Sequence, residues 1–148
     1  MKMFALLLTV LLQGCSSDGN QESRVIDAVL IGKGNLYGNG DENIPRQNVV
    51  IYSPADWNLL MQKMDTRNPV SNSFSETNID FNAFQIIAVF DEIKGNGGHT
   101  IDITQITENE ATIVVTLQNL NTGGGTSVMT QPFHIVKIPK SKKPVVFR

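Results

Sequence analysis

The sequence predicts an α+β domain: a curved or partly closed antiparallel β-sheet of five to seven strands, packed by one main α-helix. Three observations carry this. Strand-like runs follow one another from Phe84 to Pro139, namely IIAVF, HTIDITQI, ATIVVTLQ and PFHIVKI. One stretch, from Ser53 to Met64, carries helix-start signals and a helical apolar period. The composition, 41% hydrophobic and 18% charged over 148 residues, suits one folded domain that needs neither disulfides nor metals.

The first residues read as a targeting segment. Met1-Lys2 is a short basic start, and Met3 to Leu12 is apolar except for Thr9. This run is too short for a bilayer-spanning helix, which takes ~20 residues, and fits a secretory signal. Leu12-Gln13-Gly14-Cys15 resembles the lipobox of bacterial lipoproteins. Residues 1–14 are therefore expected to be a signal peptide, Cys15 the lipidated residue and membrane anchor, and 15–23 a flexible tether. Cys15 is the single cysteine, which serves neither a disulfide nor a metal site. The expected location is the bacterial cell envelope, lipid-anchored at the outer membrane.

The domain itself is expected over 24–148. Val25 to Ile31 is the first strand candidate, and Gly32, Gly34, Gly38 and Gly40 with Asn35, Asn39 and Asp41 read as a loop. Gly-Lys-Gly-Asn lacks the Gly-Lys-Ser/Thr step and following helix of a phosphate loop. Asn48 to Tyr52 is a short β-branched strand. Ser53 then serves as N-cap, Pro54 as the first helical residue and Asp56 as the third, a capping-box-like start. Trp57, Leu60, Met61 and Met64 form one apolar stripe, read as core. Arg67-Asn68-Pro69 ends the helix, and Ile79, Phe81 and Phe84 are expected to anchor the following loop on the core.

Ile86 to Phe90 is apolar on both faces, so both faces should be covered and the strand central. Ile101 and Ile103 alternate with Asp102 and Thr104, and Ala111 to Gln118 alternates likewise. These two runs read as half-buried antiparallel neighbours, with Glu108 and Glu110 as solvated turn charges. Asn119 to Gln131 is a connection of ~12 residues, long for a compact domain, and contains Gly123-Gly124-Gly125. Pro132 opens a last long strand. Lys137, Lys140, Lys142, Lys143, Pro139 and Pro144 suit edge protection, and Val145 to Phe147 adds a short edge strand.

No chemistry is legible in these residues. The net charge of −2 selects no polyanionic partner, so nucleic acid is not expected. His99 and His134 are the only histidines and sit without cysteine neighbours, which supplies no metal-ligand spacing. There is no G-x-S-x-G elbow, and Asp91 with Glu92 would face opposite ways on a strand. No catalytic residue, metal or cofactor is therefore assigned. The contact candidates are the glycine turns: Gly97, Gly98 and His99, and Gly123, Gly124 and Gly125.

Asp80-Phe81, Gly97-Gly98-His99 and Gln131-Pro132-Phe133-His134-Ile135-Val136-Lys137-Ile138-Pro139 together resemble the C-terminal domain family of the protease-complex subunit PrcB. Ser53-x-x-Asp56-Trp57 resembles that family's strand-to-helix step. The likeness runs from Asn48 to Phe147; His99 stands where tyrosine is common, and Gly34 to Gly40 is an insertion. It implies an envelope lipoprotein without catalytic activity that associates with, or stabilises, a secreted or surface protease. A protease-inhibitor-like or ligand-binding module using the two glycine loops is the alternative, and a hydrolase the third choice.

Overall fold

The computed structural model describes residues 22–148. The signal peptide expected over 1–14, the lipidation position Cys15 and all but the last residues of the tether lie outside the described residues. Eight strands and one main helix follow in order: β1 (Arg24–Val25), β2 (Val29–Leu36), β3 (Gln47–Ile51), α1 (Pro54–Met64), β4 (Phe84–Phe90), β5 (Asp102–Glu108), β6 (Ile113–Gln118), β7 (Gln131–Pro139) and β8 (Val145–Phe147).

The expected single curved or partly closed sheet is overturned. The strands form two separate open sheets of four, ordered β2-β7-β4-β3 and β1-β5-β6-β8. All pairs are antiparallel except β6 with β8. The reason lies in β4. Ile86, Ala88 and Phe90 face one core with Trp57, Leu60 and Met64 of α1, while Ile87 and Val89 face a second core. One helix covers one face only. The other is covered by Ile106, Ile113 and Val115 of the second sheet, which had to be a layer of its own. The molecule is thus helix on central sheet on cover sheet.

α1 forms as its sequence requires. Ser53 has extended backbone, and its Oγ accepts from the Asp56 N–H at 3.2 Å. Trp57 is fully buried, donates from Nε1 to the Thr77 carbonyl at 2.8 Å, and stacks on Phe74 with centroids 5.9 Å apart. Asp65 follows the last helical residue and holds the next turn by accepting from the Ser71 N–H at 2.8 Å.

Several expectations change. The first strand candidate splits in two: β1 pairs with β5 in the cover sheet, whereas β2 pairs with β7 in the central sheet. β2 continues through Gly32 and Gly34, where a loop was expected. A Cβ on Gly32 would lie 2.5 Å from the Phe74 ring, so glycine here admits an aromatic side chain and makes no turn. β4 and β5 lie in different sheets, so the Gly97-Gly98 turn is a crossing and not a hairpin.

A bulge between Ile103 and Gln105 keeps Ile106 on the face that Ile101 and Ile103 present to the second core, and Asp102, ahead of the bulge on the other face, is buried among Lys33, Thr100 and Leu120. Glu108 is also buried and accepts from Arg24 Nε at 2.8 Å, with Lys143 Nζ 3.0 Å away, so it is no solvated turn charge.

β7 is an interior strand, not an edge, and its prolines and lysine have local partners. Pro132 offers only its carbonyl to the Asp91 N–H, and Gln131 Nε2 donates to the Asp91 carbonyl at 3.1 Å that Pro132 cannot serve. Lys137 pairs with Glu76 and lies over the Phe84 ring. Replacing Trp57 by alanine is expected to lower stability by ~3–5 kcal/mol, as for other buried aromatics. Urea denaturation measures it; an unchanged midpoint would show that the stripe does not hold the central sheet.

Candidate functional site

Strand register brings three loops to one end of the molecule. Leu36 of β2 lies beside Gln131 of β7, and Phe133 of β7 beside Phe90 of β4, which pairs with Gln47 of β3. Asp102 of β5 is opposite Gln118 of β6. Loops 37–46, 91–101 and 119–130 therefore leave from the same end.

The two glycine turns are not merely near one another; they are bonded along their length. Lys94 and Thr130 exchange backbone hydrogen bonds of 2.7 and 3.1 Å. The Gly97 N–H donates to the Thr126 carbonyl at 3.1 Å, and the Gly124 N–H to the Gly97 carbonyl at 2.9 Å. Asn96 Nδ2 reaches the Gly124 carbonyl at 3.1 Å, and Asn96 Oδ1 lies 2.7 Å from His99 Nε2. Gly97, Gly98, His99, Gly123 and Gly124 thus meet in one ribbon, with Gly125 next to them in the chain.

Within the ribbon the glycines differ in duty. Gly123 has φ +104°, and a Cβ there would lie 2.5 Å from His99 Nε2. It is required by backbone conformation and by the ring beside it. Gly95, Gly124 and Gly125 have open space where a side chain would go. Gly95 and Gly125 present bare backbone to the outside, whereas both main-chain groups of Gly124 are bonded within the ribbon.

Beneath the ribbon are two buried carboxylates that sequence reading missed. Asp91 Oδ2 accepts from Asn119 Nδ2 at 2.9 Å and lies 3.2 Å from Lys94 Nζ. Lys94 also holds Glu92 at 2.9 Å, and chiefly through that bond its pKa is raised. Asp102 pairs with Lys33, and accepts from Thr100 Oγ1 at 2.6 Å and from the Leu120 N–H at 3.0 Å. Burial works against its charge, but Lys33, Thr100 and Leu120 outweigh it and hold the carboxyl below its ordinary value. Asp102 was hidden because it alternates with the core-facing Ile101 and Ile103 and so reads as solvent-facing, and Asp91 by its place just past a strand end. Their only sequence signal was an acidic residue directly beside an apolar strand run.

His134 takes part elsewhere. It lies on β7 between Lys33 and Val89, facing the cover sheet, and lines an open cleft of about 530 Å³ with Leu30, Ile106 and Val136. Its Nδ1 accepts from the Ile103 N–H at 2.9 Å. Burial, with the Lys33 charge added, pushes its pKa down to about 4. It therefore stays neutral at pH 7 with Nδ1 engaged, which suits a strut between sheets better than a general base. Among the described residues, no group of three or more His, Cys, Asp or Glu side chains is placed to hold a metal ion.

Comparison of the chain with protein-family models, with curated proteins and with solved structures finds no match.

Two outcomes follow for this end of the molecule. The folded His134 has a lower pKa than its unfolded counterpart, so the unfolded chain gains the proton first. Its contribution is complete above pH 6.5 and lost as pH falls towards 4, by up to about 3 kcal/mol. Asp102 acts with the same sign at lower pH. Urea unfolding between pH 7 and 4 should show this decline, and His134→Gln should flatten it; an equal slope in the variant would refute the assignment. Separately, Gly123→Ala is expected to cost at least ~1 kcal/mol, whereas Gly125→Ala stays within ~0.5 kcal/mol. Equal melting temperatures for the two would contradict the packing described.

Proposed function

We propose that the chain is a non-catalytic binding or accessory subunit of the bacterial envelope, lipid-anchored at Cys15, that associates with and stabilises a secreted or surface protease. The resemblance to the PrcB C-terminal domain family supports the protease as partner. The observation that carries the binding role is the ribbon of the two glycine loops. Residues far apart in sequence are joined there into one face, and Gly95 and Gly125 leave its backbone uncovered. Bare N–H and C=O groups on a braced loop suit close approach by another chain. Both histidines make bonds within the fold, Nε2 of His99 to Asn96 and Nδ1 of His134 to Ile103, which favours binding over hydrolysis.

The open glycines allow a test that spares the fold. Gly95→Glu and Gly125→Glu place a charged side chain where nothing is displaced. Both variants should keep the wild-type melting temperature and lose most of the protease that co-purifies with the full chain from envelopes. The protease should also be degraded faster in cells lacking this protein. Undiminished capture by both variants would remove the ribbon from the contact, and an unchanged protease lifetime would remove the stabilising role.

A further inference from the structure

Two open sheets have four edges, and three of them carry visible protection against pairing with another chain. β1 is two residues long. β2 is bulged between Leu30 and Gly32, and Ser75 caps its outer side, donating from N to the Ile31 carbonyl at 2.9 Å and from Oγ to the Leu30 carbonyl at 2.7 Å. β8 has three residues and follows Lys142-Lys143-Pro144. β3, at five residues, is longer than β1 and β8, has no bulge, and is guarded only ahead of its first residue, by Pro45-Arg46. Gln47-Asn48-Val49-Val50-Ile51 is uncharged, contains no proline and runs in unbroken register with β4.

The Asp91 N–H bonds the Pro132 carbonyl and the Lys140 N–H bonds the Ala83 carbonyl, so odd-numbered residues along β4 turn their backbone to β7. Even-numbered residues turn to β3, where Phe90, Ala88 and Ile86 meet Gln47, Val49 and Ile51. Asn48 and Val50 therefore point their N–H and C=O groups outward.

The geometry points to a second copy of this chain as the occupant of the β3 edge, paired antiparallel about a two-fold axis at Val49. The edge is self-complementary. The axis places Asn48 opposite Val50 of the second copy and Val50 opposite its Asn48, so four main-chain hydrogen bonds form and all outward groups of both residues are used. It also sets Arg46, 72% exposed, opposite Tyr52 of the second copy, whose exposure is 47%. A guanidinium then meets an aromatic ring and not another guanidinium. The two central sheets join into one sheet of eight strands, an isologous dimer. The glycine ribbon is not part of this contact, so the dimer stands apart from the proposed protease role.

Val49 faces its own counterpart across the axis in a non-hydrogen-bonded pair, with Cα atoms ~4.5 Å apart, close enough for a disulfide. The test uses the full chain in detergent under mild oxidation. Val49→Cys should yield a disulfide-linked dimer, absent from the wild type, whose only cysteine is Cys15. Val50→Pro removes an outward N–H that bonds nothing among the described residues. Added to Val49→Cys it should abolish the crosslink with the melting temperature unchanged, and Val50→Lys should do the same by charge repulsion. Absence of the Val49-dependent dimer, its persistence in both Val50 variants, or a crosslink to a different protein would each overturn the proposal. Protease capture by Val50→Lys should remain at wild-type level, which separates this contact from the glycine ribbon.

Discussion

Everything in this fold depends on β4 and β7 being apolar on both faces. A sheet with two apolar faces must be covered twice, because an uncovered face leaves several large side chains in water at roughly 1.5–3 kcal/mol each. α1 and the segment around Phe74 cover one face, and β5, β6 and β8 cover the other. The order of the chain follows. After β4 it must leave the central sheet, build the cover sheet with β5 and β6, and return as β7. The chain changes sheet four times, and the two crossings at this end of the molecule are residues 91–101 and 119–130. The glycine turns sit in those crossings, which is why they meet.

The polar residues at that end answer the same constraint. Two sheets joined by crossings bury backbone and carboxylates where the chain changes layer, and buried polar groups need partners. Asp91 is served by Asn119 and Lys94, Asp102 by Lys33, Thr100 and the Leu120 N–H, and Ile103 by His134. Most of these bonds run between the sheets or between the crossings. They brace the glycine ribbon from beneath, so that its open backbone is presented on a supported surface. Support and contact are separate duties here, carried by different residues of the same loops.

The parts legible in the sequence were those decided by neighbours in the chain. The start of α1 was readable because Ser53, Pro54 and Asp56 act within one turn, and its buried stripe because the helical period is local. The covered state of β4 was readable because five consecutive apolar residues leave no solvated face. The antiparallel β5–β6 pair and the short strand at Val145 to Phe147 were readable for similar reasons of alternation and turn spacing. Gly97, Gly98 and Gly123 to Gly125 could be picked out as special backbone positions, though not for what they adjoin.

Tertiary structure decided the rest. Nothing local to β4 says whether its second face meets the same sheet curving back or a different sheet; the number of apolar faces to be covered settles that only when all strands are assembled. Gly32 is in a strand because Phe74, far along the chain, lies over it. Asp102 is buried because Lys33 of β2 and Leu120 of the following crossing meet it there. The joining of two glycine turns into one ribbon depends on residues roughly thirty apart, and the open edge of β3 exists only because no later strand is placed beside it. Local order follows from side-chain period and capping, whereas contacts between distant segments follow from which surfaces remain to be covered.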